Sequence, residues 1–143
     1  MVASELGADV DELLDANAAF YAAFEAKDLD AMSRLWERSE RAQCTHPGWA
    51  TLHGWASVQA GFYALFSGPG TFQFVVTEAV PALQGDAGWV TVVEDLLADQ
   101  AGSTVAAINL FTRDPHGRWR MVAHHGSTVH GPPARLVRRE GGA

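Results

Sequence analysis

The sequence predicts an α+β domain in which helices come first and an antiparallel sheet follows. Three observations predict it. Apolar residues in the first half recur at three- and four-residue steps. The second half holds four runs rich in Phe, Val and Thr, separated by turn residues. Between Ala42 and Thr77 there is no Asp, Glu, Lys or Arg. The first two are helix and strand periodicities, and their order along the chain is that of segregated helices and strands, not alternating βαβ units. The uncharged stretch suits a dry interior. His46, Pro47, His53, Gln59 and Pro69 interrupt it, so it holds no run of about 18 apolar residues and does not read as a membrane span.

The first helix is expected to start at the capping pair Asp9 and Glu12. Val10, Leu13, Leu14, Tyr21 and Phe24 form its apolar stripe, with Asn17 inside the stripe. Asp28 is a good N-cap for a second, closely joined helix carrying Leu29, Met32, Leu35 and Trp36. Residues 42–47 read as a short strand stopped by Pro47-Gly48. Gly54 to Phe66 reads as a third helix, with Trp55, Val58, Phe62, Leu65 and Phe66 in helical period and Gly68-Pro69-Gly70 ending it.

Four strands follow: Thr71 to Leu83, Trp89 to Ala98, Thr104 to Arg113 and Arg118 to Val129. Pro81 marks a bulge or an edge in the first of them. Turns fall at residues 84–88 and 99–103, and Asp114-Pro115-His116-Gly117 is a hairpin turn. Strands of about ten residues span about 33 Å. Such strands twist and coil, so the sheet can wrap a concave face around the helices. Residues 1–131 are expected to form a single domain and residues 132–143 a loose C-terminal tail.

Composition narrows the function. The chain has 143 residues, 48% apolar and 19% charged, which excludes a disordered protein. A net charge of −7 repels phosphate backbones, so no nucleic-acid partner is expected. The single cysteine, Cys44, excludes an internal disulfide and a cysteine-cluster metal site. Met1 to Asp11 lacks the basic and apolar blocks of a signal peptide. The expectation is a cytoplasmic protein with no membrane partner.

The order of blocks along the chain resembles a known superfamily. The blocks are Phe20-Tyr21-Ala22-Ala23-Phe24 with Lys27-Asp28-Leu29, then Leu35-Trp36, His46-Pro47-Gly48 and Gly54-Trp55 with Val58. They continue with Trp89-Val90-Thr91, Glu94-Asp95, Asn109-Leu110-Phe111, Gly117-Arg118-Trp119-Arg120 and His124-His125-Gly126-Ser127. Over residues 9–130 the chain is similar to nuclear-transport-factor-2-like proteins of the SnoaL-like group. The resemblance implies a cone-shaped fold, with N-terminal helices packed in the concave face of a strongly curved, mainly antiparallel sheet. It also implies an enclosed pocket and a homodimer. Superfamily members include isomerases, dehydratases, cyclases and proteins that only bind, so the fold alone does not name a reaction. The aspartate, tyrosine and protonated acid of the ketosteroid-isomerase type have no residue-by-residue match here.

Strand alternation is the guide to the site. In the last strand Trp119, Met121, Ala123, His125 and Ser127 share the more apolar face. His125 is therefore expected to point into the cone as a general acid or base, and His124 to point outward. Asp95 or Glu94 would be its catalytic partner. They are consecutive, so only one faces inward, and both faces of that strand are apolar enough to leave the choice open. Asn109, in the middle of an apolar run, and His46 would orient a ligand; alternatively Asn109 pairs with a neighbouring element. Tyr21, Trp36, Trp49 and Phe62 would wall the pocket or simply fill the core. No two histidines have metal-site spacing, there is no nucleophile elbow and no Gly-rich phosphate loop, so neither metal nor cofactor is expected.

The expected function is a pocket protein that acts on or holds a small, largely apolar molecule; as an enzyme it would carry out cofactor-free isomerisation, dehydration or cyclisation of a carbonyl compound. The alternative is a non-catalytic dimeric module for ligand binding or protein interaction. In either case the dimer contact would be the convex sheet face, with Arg120, Val122 and His124 on it.

Overall fold

The computed structural model describes residues 3–98 and 101–130. The expected tail at 132–143 and part of the turn at 99–103 lie outside the described residues. The elements are α1 (Ala3–Glu25), α2 (Leu29–Leu35), β1 (Gln43–Thr45), β2 (Leu52–His53), α3 (Trp55–Ser67), β3 (Phe72–Gln84), β4 (Ala87–Ala98), β5 (Ala101–Arg113) and β6 (Trp119–Thr128). One sheet runs in the order β2-β1-β6-β5-β4-β3. The β1–β6 pair is parallel and the other strand pairs are antiparallel. The architecture is α+β, as expected, with the helices against one face of the sheet. No described helix is long and apolar enough to cross a membrane.

Local chemistry explains most of the boundaries. α1 begins upstream of Asp9, so Asp9 and Glu12 do not cap it. They lie within the helix, and Asp9 instead accepts a 2.6 Å ion-pair bond from Arg113 of β5. Asp28 does cap α2: its Oδ1 accepts from the Ala31 N–H at 3.0 Å. Pro81 sits in β3, which is an edge strand, where its missing N–H costs no ladder bond. The bulge in that strand lies just before Pro81, between Thr77 and Val80, with Glu78 at φ 52°. The two-residue β2, absent from the sequence reading, extends the sheet through β1.

The core lies between α1 and the sheet, closed by α2 and α3. Leu13, Phe20, Met32, Trp36, Val58, Phe62, Phe111 and Met121 are almost fully buried there. Phe24 packs edge-to-face on Phe62 at 5.7 Å and on Phe74 at 4.9 Å between ring centroids, a favourable aromatic geometry.

One irregularity determines what the sheet offers to this interior. Leu110 pairs with Ala123 but Phe111 pairs with Met121, which leaves Val122 as an extra residue in β6. A bulge of this kind interrupts the two-residue alternation. Met121 and Val122 are both buried, and beyond them the inward residues are His124 and Gly126. The expected inward set of Trp119, Met121, Ala123, His125 and Ser127 therefore holds only for its first two members. His125 and Ser127 are exposed. Of the residues expected on the convex face, His124 and Val122 are buried. Arg120 is half-buried and paired with Asp114 at 3.0 Å.

Replacing Asp28 by Ala removes the α2 cap and should lower unfolding free energy by about 1 kcal/mol. Urea denaturation would measure it, and D28S should retain most of the wild-type value.

Candidate functional site

The site is built from α1, β4, β5 and β6. Asn17 and Tyr21 are four residues apart and share the sheet-facing side of α1, as helical geometry requires. Alternation along β5 turns Val105, Ala107, Asn109 and Phe111 inward, and along β4 it turns Val90, Val92 and Glu94 inward. Register sets Asn109 opposite Val90 on one side and His124 on the other. Five polar side chains thus meet in an otherwise apolar interior.

Their hydrogen bonds form one connected chain. Asn109 Nδ2 donates to Asn17 Oδ1 at 2.8 Å and to Tyr21 Oη at 3.0 Å. Asn109 Oδ1 is 2.5 Å from His124 Nδ1. An amide oxygen only accepts, so Nδ1 carries the hydrogen, and in a neutral imidazole Nε2 is then a bare acceptor. Tyr21 Oη donates to Glu94 Oε2. His46 lies beside this chain, its Nε2 3.5 Å from Cys44 Sγ and its ring centroid 6.1 Å from that of His124.

Burial tunes these groups. It pushes Glu94 up to about 7, against a smaller lowering by the Tyr21 hydrogen bond. The same burial, reinforced by the Glu94 charge, raises Tyr21, which stays protonated. His46 is lowered to about 4 by burial. His124 is lowered to about 3, first by burial and then by the charges of His46 and His125. Both imidazoles are neutral at neutral pH, while Glu94 exchanges its proton there. Burial raises the Cys44 thiol, which remains protonated.

Tyr21, His46, Glu94 and His124 share a cavity of about 30 Å³, closed by apolar side chains that include Phe74 and Leu96. That is room for about one water. Tyr21 and Phe74 also line a wider cleft of about 390 Å³ between α1 and β3. There the Glu25 carboxylate accepts the Phe74 backbone N–H at 2.9 Å and ties β3 to α1. A groove of about 430 Å³ between α1 and α2 is lined largely by alanines and contains none of these groups.

The structure brings together Tyr21, Glu94, Asn109 and His46 of the expected residues. Of the two acids left open, Glu94 is the inward one; Asp95 is exposed and accepts from Thr104 Oγ1 at 2.9 Å. His125 does not project into the interior, and His124 stands in the place expected for it. Asn109 is fully buried and bonds to protein groups on both its amide atoms. Trp36 and Phe62 are core, at 5.9 Å from each other, with Trp36 Nε1 bonded to Met32 Sδ. Trp49 is 39% exposed, packs edge-on against His46 at 4.9 Å between ring centroids and does not line the cavity. Asn17 is the further polar member; its signal in the sequence was an amide placed inside an apolar helical stripe.

Residues 13–131 match a family model described as SnoaL-like domain. A Streptomyces avermitilis protein provisionally called a dehydratase of the NTF2-like family is 31% identical. That structure aligns with a TM-score of 0.82 over 87% of this chain and 99% of its own. A Thiobacillus denitrificans structure, provisionally called a calcium/calmodulin-dependent protein kinase type II association domain, is 36% identical. Its TM-score is 0.68, over 80% of this chain and 93% of its own. The F-box protein SKIP8 of Arabidopsis thaliana is 29% identical over 117 residues, 82% of this chain and 49% of that protein, so the chain spans about half the length of this curated relative.

The pH dependence of stability follows from the buried groups. For His46 and His124 the folded values of about 4 and 3 lie below the ordinary 6.5, so their contribution is complete above 6.5 and is lost as pH falls through those values. Glu94 has the opposite sign: its contribution is complete below 4.5 and is lost as pH rises through about 7. The urea midpoint should therefore fall as pH drops from 6.5 to 4, and fall less steeply in His124→Asn, which keeps a donor toward Asn109. An equal fall in both proteins would show that His124 does not carry the effect.

Proposed function

The chain belongs to the SnoaL-like domain family, and from that premise we propose that it is a cofactor-free acid–base enzyme, a dehydratase or isomerase, acting on a small, largely apolar carbonyl compound. The observation that supports this most is that Glu94, poised near 7, and the neutral ring of His124 border one cavity. A group that titrates near the working pH is suited to both taking and returning a proton. Residues 1–131 are read as the domain that does this.

In this reading Glu94 is the catalytic base. Tyr21 holds Oε2, which leaves Oε1 without a protein hydrogen bond among the described residues. In dehydration of a β-hydroxy carbonyl compound, Glu94 takes the proton from the carbon next to the carbonyl and the C–O bond breaks. The carboxylic acid then returns that proton to the departing oxygen, so water leaves and the carboxylate is restored. In isomerisation the same proton is returned to a different carbon. His46 and His124 orient the substrate as neutral rings.

Small-molecule sites typically occupy about 300–1,000 Å³, well above the cavity of about 30 Å³. Substrate entry therefore requires displacement of Phe74, the half-buried side chain between the cavity and the α1–β3 cleft. The cleft supplies the missing volume for the apolar part of the substrate.

The test is deuterium exchange next to the carbonyl of β-hydroxy ketones and β,γ-enones, followed by NMR in heavy water. Exchange should increase with pH through about 7 and drop by about 10²–10⁴ in Glu94→Gln. Exchange no faster than in buffer, or unchanged in the variant, rejects the catalytic reading.

The alternative, a non-catalytic dimeric module, draws support from the outer sheet face. Val75, Leu97 and Ile108 are 47%, 47% and 42% exposed there, apolar side chains spread over the face that a partner surface would cover. A homodimer through this face is compatible with either reading. Light scattering should give twice the chain mass, reduced to one chain by Ile108→Asp; a monomeric wild type overturns the dimer.

A further inference from the structure

The hydrogen bonds around Asn109 have a fixed direction, and that direction specifies what the cavity can recognise. An ionised Glu94 only accepts, so Tyr21 must donate to it. With its hydrogen committed, Tyr21 Oη can only accept from Asn109, which places the NH₂ group of Asn109 toward α1. Asn17 Oδ1 accepts the second hydrogen of that NH₂ group at 2.8 Å. Two acceptors on α1 therefore hold the amide in one orientation, and its oxygen is left facing His124. The opposite orientation would set the Asn109 oxygen against the Asn17 oxygen. It would also direct an N–H at His124 Nδ1 and shift the imidazole hydrogen to Nε2.

We infer that Asn17 and Asn109 are positioning residues that lock His124 as the Nδ1–H tautomer, so that the cavity presents the acceptors His124 Nε2 and Glu94 and selects a ligand carrying a hydroxyl group. This deepens the proposed function, on which its catalytic meaning rests: the substrate is a hydroxylated carbonyl compound, the class from which water is eliminated. A buried acceptor left unmet costs about 1–3 kcal/mol. A ligand without a hydroxyl would leave Nε2 in that position once Phe74 and the ligand exclude water. Asn109 borders neither the cavity nor the cleft, and Asn17 borders only the cleft; both act on the hydroxyl site through the imidazole.

The tautomer can be read without any activity. In long-range proton–nitrogen correlation spectra of labelled protein, the protonated and bare ring nitrogens resonate far apart. Wild type should show His124 protonated on Nδ1 and bare on Nε2. Asn109→Asp, which keeps the acceptor, should preserve that state. Asn109→Leu and Asn17→Ala should move population to the Nε2–H form, with backbone spectra confirming that the variants fold. Adding the β-hydroxy derivative of benzylacetone should shift the Nε2 resonance upfield and benzylacetone itself should not. A wild-type His124 protonated on Nε2 overturns the inference even if every variant fails to fold. A tautomer indifferent to both substitutions overturns the positioning role, and equal responses to the two ketones overturn the hydroxyl selectivity. Failure of the exchange reaction would remove the catalytic reading while leaving the tautomer result intact.

Discussion

A single amide, that of Asn109, ties the interior of this protein together. It bonds to two side chains of α1 and to one of β6, so the helix, the middle of the sheet and the bulged strand are joined at a fully buried position. Polar groups in such a place cost free energy unless every hydrogen-bonding capacity is matched. That requirement removes the rotational ambiguity of the amide and the tautomeric ambiguity of the histidine beside it. The chemistry attributed to Glu94 and His124 depends on this arrangement more than on either group alone.

The apolar surroundings are equally part of the site. Phe20, Phe24, Phe62 and Phe74 pack around the polar chain, and their exclusion of water is what moves Glu94 toward neutrality and strips the two imidazoles of charge. The same packing leaves a cavity of water size. Reactivity and access are thus in tension, and Phe74, shared with the outer cleft, is where they meet. In this chain α1 and β3 border both the cavity and the cleft.

Much of the fold was legible from local patterns. Asp28 read as a helix cap because a carboxylate before a helix has only one common use, and it serves that use. The Phe-, Val- and Thr-rich runs bounded by Gly and Asp turns fell within a few residues of the strands observed. Asp9 and Glu12 misled for the converse reason: their local pattern fits a cap, while a distant arginine claims Asp9 inside a longer helix. Among site residues, Asn109 stands out in the sequence as an amide inside an apolar run, His46 as a ligand-orienting candidate and Tyr21 only as a wall or core residue. Asn17 was noticed, but its partner lies 92 positions away, beyond the reach of any periodicity.

Composition, periodicity and turn chemistry by themselves established the α+β class, the order of helices and strands and the set of residue types from which a site could be made. They did so because these properties depend on neighbours a few positions apart. Which of two adjacent histidines, and which of two adjacent carboxylates, faces the interior was decided only by the assembled sheet. One unpaired residue, Val122, exchanged the faces of everything after it in β6. The pairing of β4 between β3 and β5 turned Glu94 inward and Asp95 outward. Strand parity has a period of two, so a single added residue, registered only against a neighbouring strand, reverses it.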